Sequence, residues 1–411
     1  MTDLTSGALR RGTREYRRAS LVMFVAGFLT FAMLYIVQGL LPAISDDFSV
    51  SPASASLTLS LTTLPLAVAV FVAAAWSEGR GRRRLLVASL VGAGCLTLAA
   101  AASPNFPSLL GLRVLTGLVL AGFPAVAMAY VAEEFHPSGL GTAMGLYISG
   151  TGLGGMTGRL VGGLVSSVTS WRVAMVCAAV VCLAGALWVS LRLPPSRNFV
   201  AAPGRLGERL ASIREPLRDP VILKLAVCGF VIMGSLVSFF NFLQYRLARS
   251  PFDLPGTVIA LVFLIYLFGT LSANWMGRLT DRRSRRGVML LGLAIMAGGA
   301  LLSLAELLPI VLAGAAAMVF GFFGAHSVAS GFVGVWARQQ PAQASALYLF
   351  GYHSGSGLAG FVGGLFFGAF GWRGEVATVL VLLAIGAVAV ARLPALSDRE
   401  NAPADGARSA G

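Results

Sequence analysis

The sequence predicts an all-α membrane protein with 12 transmembrane helices in two six-helix repeats. Three observations predict it: twelve long apolar runs, a charge pattern that alternates between the connecting loops, and a duplication at a fixed offset. Of the 411 residues 56% are apolar and 12% are charged, whereas a water-soluble domain carries about a quarter charged residues. The excess apolar surface therefore requires lipid. The 17 carboxylates fall at or near the gaps between apolar runs, so no acid is expected deep inside a span.

A spanning helix needs roughly 20 mostly apolar residues. In the first half such runs lie near 20–44, 53–76, 85–103, 108–132, 140–166 and 172–191, and in the second near 221–244, 255–276, 287–305, 308–336, 344–368 and 376–392. The Arg-rich stretch before Leu21 is like a signal-peptide start, but the apolar run behind it is too long for a cleaved one, so it reads as a retained first helix. An even number of passes puts both termini on one side.

The net charge of +14 is not a nucleic-acid footprint, because the basic residues gather in alternate loops. Arg10 to Arg18, Arg80 to Arg84, Arg192 to Arg218 and Arg278 to Arg286 mark one side, while the other holds Arg172, Arg246, Arg249 and Arg373. This is the positive-inside pattern. It makes the termini cytoplasmic and the location a cytoplasmic (inner) membrane, with lipid as the surrounding partner. The chain then divides into a tail (1–19), a first bundle (20–192), a linker (193–220), a second bundle (221–392) and a second tail (393–411). The linker carries Pro194, Pro195, Pro203 and Gly204 among its arginines and reads as a cytoplasmic connection. Cys95, Cys177, Cys182 and Cys228 lie within spans without paired loop spacing, so they read as packing residues, not as a disulfide or metal framework.

Residues 143–172 and 344–373 align without a gap at an offset of 201. Shared positions include Tyr147/Tyr348, Gly150/Gly351, Gly154/Gly355, Gly162/Gly363, Gly163/Gly364, Trp171/Trp372 and Arg172/Arg373. A second match sets Glu78 to Arg83 beside Asp281 to Arg286. Two parallel repeats imply a pseudo-twofold axis along the membrane normal, with a solute site near the midplane between the halves.

The loop Gly277-Arg278-Leu279-Thr280-Asp281-Arg282-Arg283-Ser284-Arg285-Arg286 resembles the helix 2–3 loop pattern of the major facilitator superfamily, departing at Ser284. The first-half copy, with Glu78, Gly81, Arg82 and Arg83, is weaker. Arg113 and Gly117 resemble the family's helix 4 pattern. Gly154 to Gly163 resembles its export-branch helix 5 pattern, with Arg159 in place of Pro. The resemblance implies alternating access by a monomer, with a conformational gate in Glu78, Arg82, Arg83, Gly277, Asp281, Arg282, Arg285 and Arg286; the alternative reading of these charges is topology alone. It also favours Arg113 for coupling.

Gly154, Gly158, Gly162, Gly163, Gly355, Gly363 and Gly364 read as helix-packing positions, since small residues let helices approach closely in lipid. Arg113 and Arg159 stand out because an ionisable group inside a membrane is costly and faces a cavity or a partner. Each either meets solute or coupling ion or ties helices together through carbonyls. His326 and His353 are the histidines within spans, either proton carriers or helix-to-helix hydrogen bonders. Tyr35, Gln38, Asn241, Gln244, Tyr147, Tyr348 and Tyr352 complete the polar candidates for a cavity lining or for packing.

No nucleotide loop, metal cluster or nucleophile arrangement is apparent, so the expectation is a non-enzyme without cofactor or metal. The leading expectation is a secondary transporter of small organic solutes, most simply a proton-coupled exporter, with protons as the coupling partner. The alternative is a facilitator or importer of an organic anion using Arg113 and Arg159. A receptor or scaffold without transport is the competing reading from another class.

Overall fold

A computed structural model of the chain describes residues 8–77, 81–199, 207, 215–337 and 341–394, leaving out the side chains at 125, 341 and 342. Half of the expected linker, both tail ends and Glu78 lie outside the described residues. Those described form helices and no strand.

The first half comprises α1 (Arg14–Asp47), α2 (Pro52–Ser77), α3 (Arg82–Ala101), α4 (Phe106–Glu134), α5 (Pro137–Val168) and α6 (Trp171–Arg192). The second begins with α7 (Pro220–Leu247), α8 (Gly256–Leu279), α9 (Arg285–Leu302) and α10 (Leu308–Trp336). A final helical stretch, Pro341–Ala391, is parted at Gly371, where φ is +62°. Backbone there needs a residue without a Cβ, and the break separates α11 (341–370) from α12 (372–391). With that break, the described residues form twelve long helices, in keeping with the number of apolar runs.

Three spans depart from regular α-helix. α1 tightens to a 3-10 turn over Ile36–Leu40, α4 is broken at Ala121, and α8 is 3-10 over Val262–Leu267. These breaks free main-chain groups beside the centre of the molecule, which is where irregular backbone is tolerated at membrane depth.

The duplication is visible in the packing. A Cβ at Gly154 would run into the backbone at Phe28, and one at Gly355 into that at Phe230, so α5 lies against α1 as α11 lies against α7. Gly158 sits likewise on Ala32 and Gly162 on Ile36. The glycine stripes are close-approach surfaces, as their spacing suggests. Trp171 donates to Asp47 Oδ2 at 3.1 Å, while its copy Trp372 donates to the Ser303 carbonyl at 3.0 Å.

Each half is also tied end to end on the face where the described residues begin and end, here the terminal face. Arg18 donates to the carbonyls of Leu191 and Arg192 at 3.1 and 3.0 Å, and Lys224 donates to that of Arg392 at 3.0 Å. Leu9 pairs with the turn between α4 and α5 through the Glu134 carbonyl and the His136 amide. The halves meet along α2 and α11, where Gly357 packs on Leu64 and Phe71 on Phe350 with ring centroids 5.7 Å apart. α5 and α8 meet near the opposite, far face: a Cβ at Gly163 would lie 2.9 Å from Ala260 Cβ, and one at Gly256 3.1 Å from Ser167 Cβ. Cys182 and Cys228 are buried as expected of packing residues, whereas Cys95 and Cys177 are exposed on the outer surface.

Candidate functional site

A cavity of about 400 Å³ lies between the halves. Its walls come from α1 (Phe31, Tyr35), α4 (Met128), α5 (Tyr147, Arg159), α7 (Met233), α8 (Tyr266), α10 (Phe322, His326) and α11 (Tyr348, Tyr352, His353). It runs from Arg159 toward the terminal ends of α4, α10 and α11, at Met128, Val333 and Ser345. Mixed aromatic and polar walls at this volume suit a small organic molecule.

Toward the far face the cavity is shut by a buried hydrogen-bonded clasp centred on Gln38. Its Nε2 donates to Asn241 Oδ1 at 2.7 Å and to the Val237 carbonyl at 3.1 Å. Gln244 Nε2 donates to the Gln38 carbonyl at 2.7 Å, and Arg159 Nε donates to Gln38 Oε1 at 2.5 Å. Gln38 sits in the 3-10 segment of α1, while Asn241 and Gln244 come from α7. The clasp therefore joins the two halves.

Arg159 is held from below by the Gly155 carbonyl at 2.7 Å and sandwiched by aromatic faces. Its guanidinium carbon lies 3.9 Å from the Tyr35 ring centroid and 4.8 Å from that of Tyr266. Such cation–π contacts stabilise a cation without neutralising it. Among the lining residues there is no carboxylate, so Arg159 faces the cavity as a cation without an anionic partner. The hydroxyls of Tyr35 and Tyr266 also lack hydrogen-bond partners. On the opposite wall His326 Nδ1 and the Tyr348 hydroxyl are 2.8 Å apart, with the Tyr352 ring 4.9 Å from the imidazole. His353 packs edge-on against Tyr352, and its Nδ1 is without a partner.

The candidates thus separate into three groups. Arg159, His326, His353, Tyr35, Tyr147, Tyr348 and Tyr352 line the cavity, and Gln38, Asn241 and Gln244 close it. Arg113 does neither. Fully buried, it donates to the Thr58 carbonyl at 3.2 Å and the Leu34 carbonyl at 3.3 Å, tying α4 to α2 and to the break in α1. The two arginines meet neighbouring residues of α1, Arg113 the Leu34 carbonyl and Arg159 the Tyr35 ring. Tyr266 escaped the sequence reading because nothing in an apolar run marks which face looks inward.

One expectation is corrected. Glu375, placed by its sequence position in the gap before α12, is fully buried, and neither carboxyl oxygen has a hydrogen-bond partner of normal geometry, the Ser238 hydroxyl being its polar neighbour. The chain does hold an enclosed acid. It lies in the first turns of α12, after the Gly371 break, where folding covers it with α7 and α11.

Three gate candidates, Arg82, Arg83 and Arg286, make contacts within their own halves. Arg82 pairs with Glu133 at 2.7 Å and donates to the Ser77 hydroxyl, Arg83 donates to the Ser190 carbonyl at 2.6 Å, and Arg286 to that of Ala391 at 3.4 Å. Asp281, Arg282 and Arg285 lie at the terminal face, next to Gly277 at the end of α8.

The sequence matches the Major Facilitator Superfamily over residues 23–275 and 247–410. It is 40% identical over 377 residues to an uncharacterized MFS-type transporter, YybF, of Bacillus subtilis, covering 92% of this chain and 93% of that one. It is 39% identical over 385 residues to the inner membrane transport protein YnfM of Escherichia coli, covering 94% and 92%. Among solved structures it is similar to a bacterial homolog of the human lysosomal transporter Spinster in an inward-facing, unoccupied conformation, with a TM-score of 0.75, 17% identity and coverage of 92% and 96%.

Proposed function

The chain belongs to the major facilitator superfamily, and on that footing we propose that this secondary transporter carries a small organic anion by alternating access. The observation that supports the reading is Arg159: a buried guanidinium, braced by Gln38 and two tyrosine faces, looks into a cavity whose lining holds no acid. An anionic group entering there would gain charge-assisted hydrogen bonds, while the aromatic walls take up an apolar body. With the Gln38 clasp closed and the cavity running to the terminal face, this conformation is open toward the side that the arginine-rich loops assign to the cytoplasm.

A second reading, proton-coupled export, rests on His326 and His353, whose imidazoles face the same cavity and are groups that can bind and release a proton. In either case the loops around Asp281 and Arg82 act as a latch once the terminal face closes, and the protein works as a monomer in the cytoplasmic membrane.

The test uses the purified protein in liposomes and three labelled solutes of like size: benzenesulfonate, benzenesulfonamide and phenyltrimethylammonium. The anion should exchange across the membrane, and Arg159→Gln should slow it roughly 10- to 100-fold, the worth of one hydrogen bond to a charged group. Movement of the cation or the neutral analogue in place of the anion, or an unchanged anion rate in Arg159→Gln, overturns the reading.

A further inference from the structure

The enclosed acid at the start of α12 has no part in solute recognition as described above. Glu375 and Ser238 sit side by side over the Cα of Gly363, and a Cβ there would collide with both. Neither the carboxyl oxygens nor the Ser238 hydroxyl has a hydrogen-bond partner of normal geometry. A carboxylate enclosed without a counter-charge, with only the Ser238 hydroxyl beside it, is costly, so the seat fits the neutral acid.

The repeat supplies a comparison. Gly162 in the first half packs on Ile36 as Gly363 in the second packs on Ser238, and Ala174 stands three residues after Trp171 as Glu375 does after Trp372. The first copy makes the junction with two apolar residues, so the fold does not require a polar pair there. Glu375 and Ser238 are an addition to the second half alone.

We infer that Glu375 is a proton-binding residue whose loading is tied to closure of the far face. Ser238 lies on α7 one turn from Asn241, the residue clasped by Gln38. When the clasp parts, water reaches this stretch of α7. The carboxyl O–H bond then breaks, its proton passes to water, and the carboxylate left behind is hydrated. Closing again requires a proton to be taken back from water on the far side. This does not depend on which solute is carried.

The other titratable or charged groups on the packed elements are Lys224, Cys228, Tyr245 and Arg246 on α7, Tyr348, Tyr352 and His353 on α11, His326 on α10, Arg373 on α12 and Glu306 after α9. Arg246 is occupied by the carbonyls of Ser303 and Ala305, the second at 2.6 Å. Arg373 and Glu306 are on the surface.

The experiment reads conformation without any solute. Spin labels at Ser51→Cys and Ala248→Cys, exposed positions on the far rim of the two halves, are placed in protein whose exposed Cys95 and Cys177 are serine. Their distance distribution in liposomes is followed from acid to alkaline pH. A proton held tenfold more tightly in one conformation shifts the equilibrium up to tenfold across its titration. The wider-rim population should grow by about that factor or more as pH rises, and Glu375→Gln, which keeps the neutral shape, should stay narrow throughout. Glu375→Ala, carrying the residue of the first repeat, should also lose the pH response and guards against a failure of the amide to fold. A response that persists in both variants assigns the titration to another group, such as His326 or His353, and overturns the inference; so does a wild type whose rim ignores pH.

Discussion

Replacing Gln38 by leucine keeps the side-chain volume and removes its amide. In the closed far face this leaves two buried groups without their partner, Asn241 Oδ1 and Arg159 Nε, which now lie 2.7 and 2.5 Å from Gln38 atoms. The Val237 carbonyl also loses a donor but belongs to a continuous helix. Each unmatched buried group costs about 1–3 kcal/mol. In the far-open conformation water can satisfy both, so the penalty falls almost wholly on the closed one. Taking the lower part of that range, about 1–2 kcal/mol for each of the two groups, a total of about 2–4 kcal/mol shifts the balance toward opening roughly 30- to 900-fold. The assay is the reaction of Ala260→Cys with a membrane-impermeant maleimide added from the far side. Ala260 is 2% exposed, covered by Gly163 of the other half, so its reactivity reports parting of α5 from α8. The labelling rate should rise by one to three orders of magnitude in Gln38→Leu, with the protein still monodisperse. An unchanged rate would refute the clasp as the element that holds the far face shut.

Two further expectations follow from the same geometry. Arg113→Met should lower the thermal stability of the detergent-solubilised protein by about 1–3 kcal/mol, since the carbonyls of Leu34 and Thr58 lose their donors, while the preference among anionic, neutral and cationic solutes stays as in the wild type; a lost preference at full stability would place Arg113 in the pathway. Asp281→Asn should impair transport with expression retained, and full transport by that variant would remove the latch role from its loop.

Much of the fold was legible in the sequence because each span announces itself by length and apolarity, and because the repeat can be read twice. The glycine stripes of α5 and α11 were legible for the same reason: Gly154 and Gly355 recur at the repeat offset and meet matching backbone at Phe28 and Phe230. The site was legible only as composition. Arg113 and Arg159 look alike as lone charges in apolar runs, and depth along a helix does not tell which way a side chain faces. Folding separates them, leaving Arg113 on the carbonyls of Thr58 and Leu34 and Arg159 in the cavity. Gln38 and Asn241 were recognisable as polar residues of inner helices, but a hydrogen bond across 203 positions of chain has no local signature. Glu375 was hidden by its place at the end of a run, where an acid reads as a surface group until the packing of α7 and α11 shows it covered.

The end-to-end ties on the terminal face bear on how the chain is made. Synthesis proceeds from the first residue to the last, and domains generally fold as units with the N-terminal one first. Arg18 finds its acceptors only when Leu191 and Arg192 emerge, at the close of α6. Lys224 must wait in the same way for Arg392. Each tie is therefore a last stitch, sewn when the sixth helix of its set arrives. The earlier bundle can thus gather all six of its helices while the later one is still being made. The later one then assembles beside a completed neighbour rather than among loose helices.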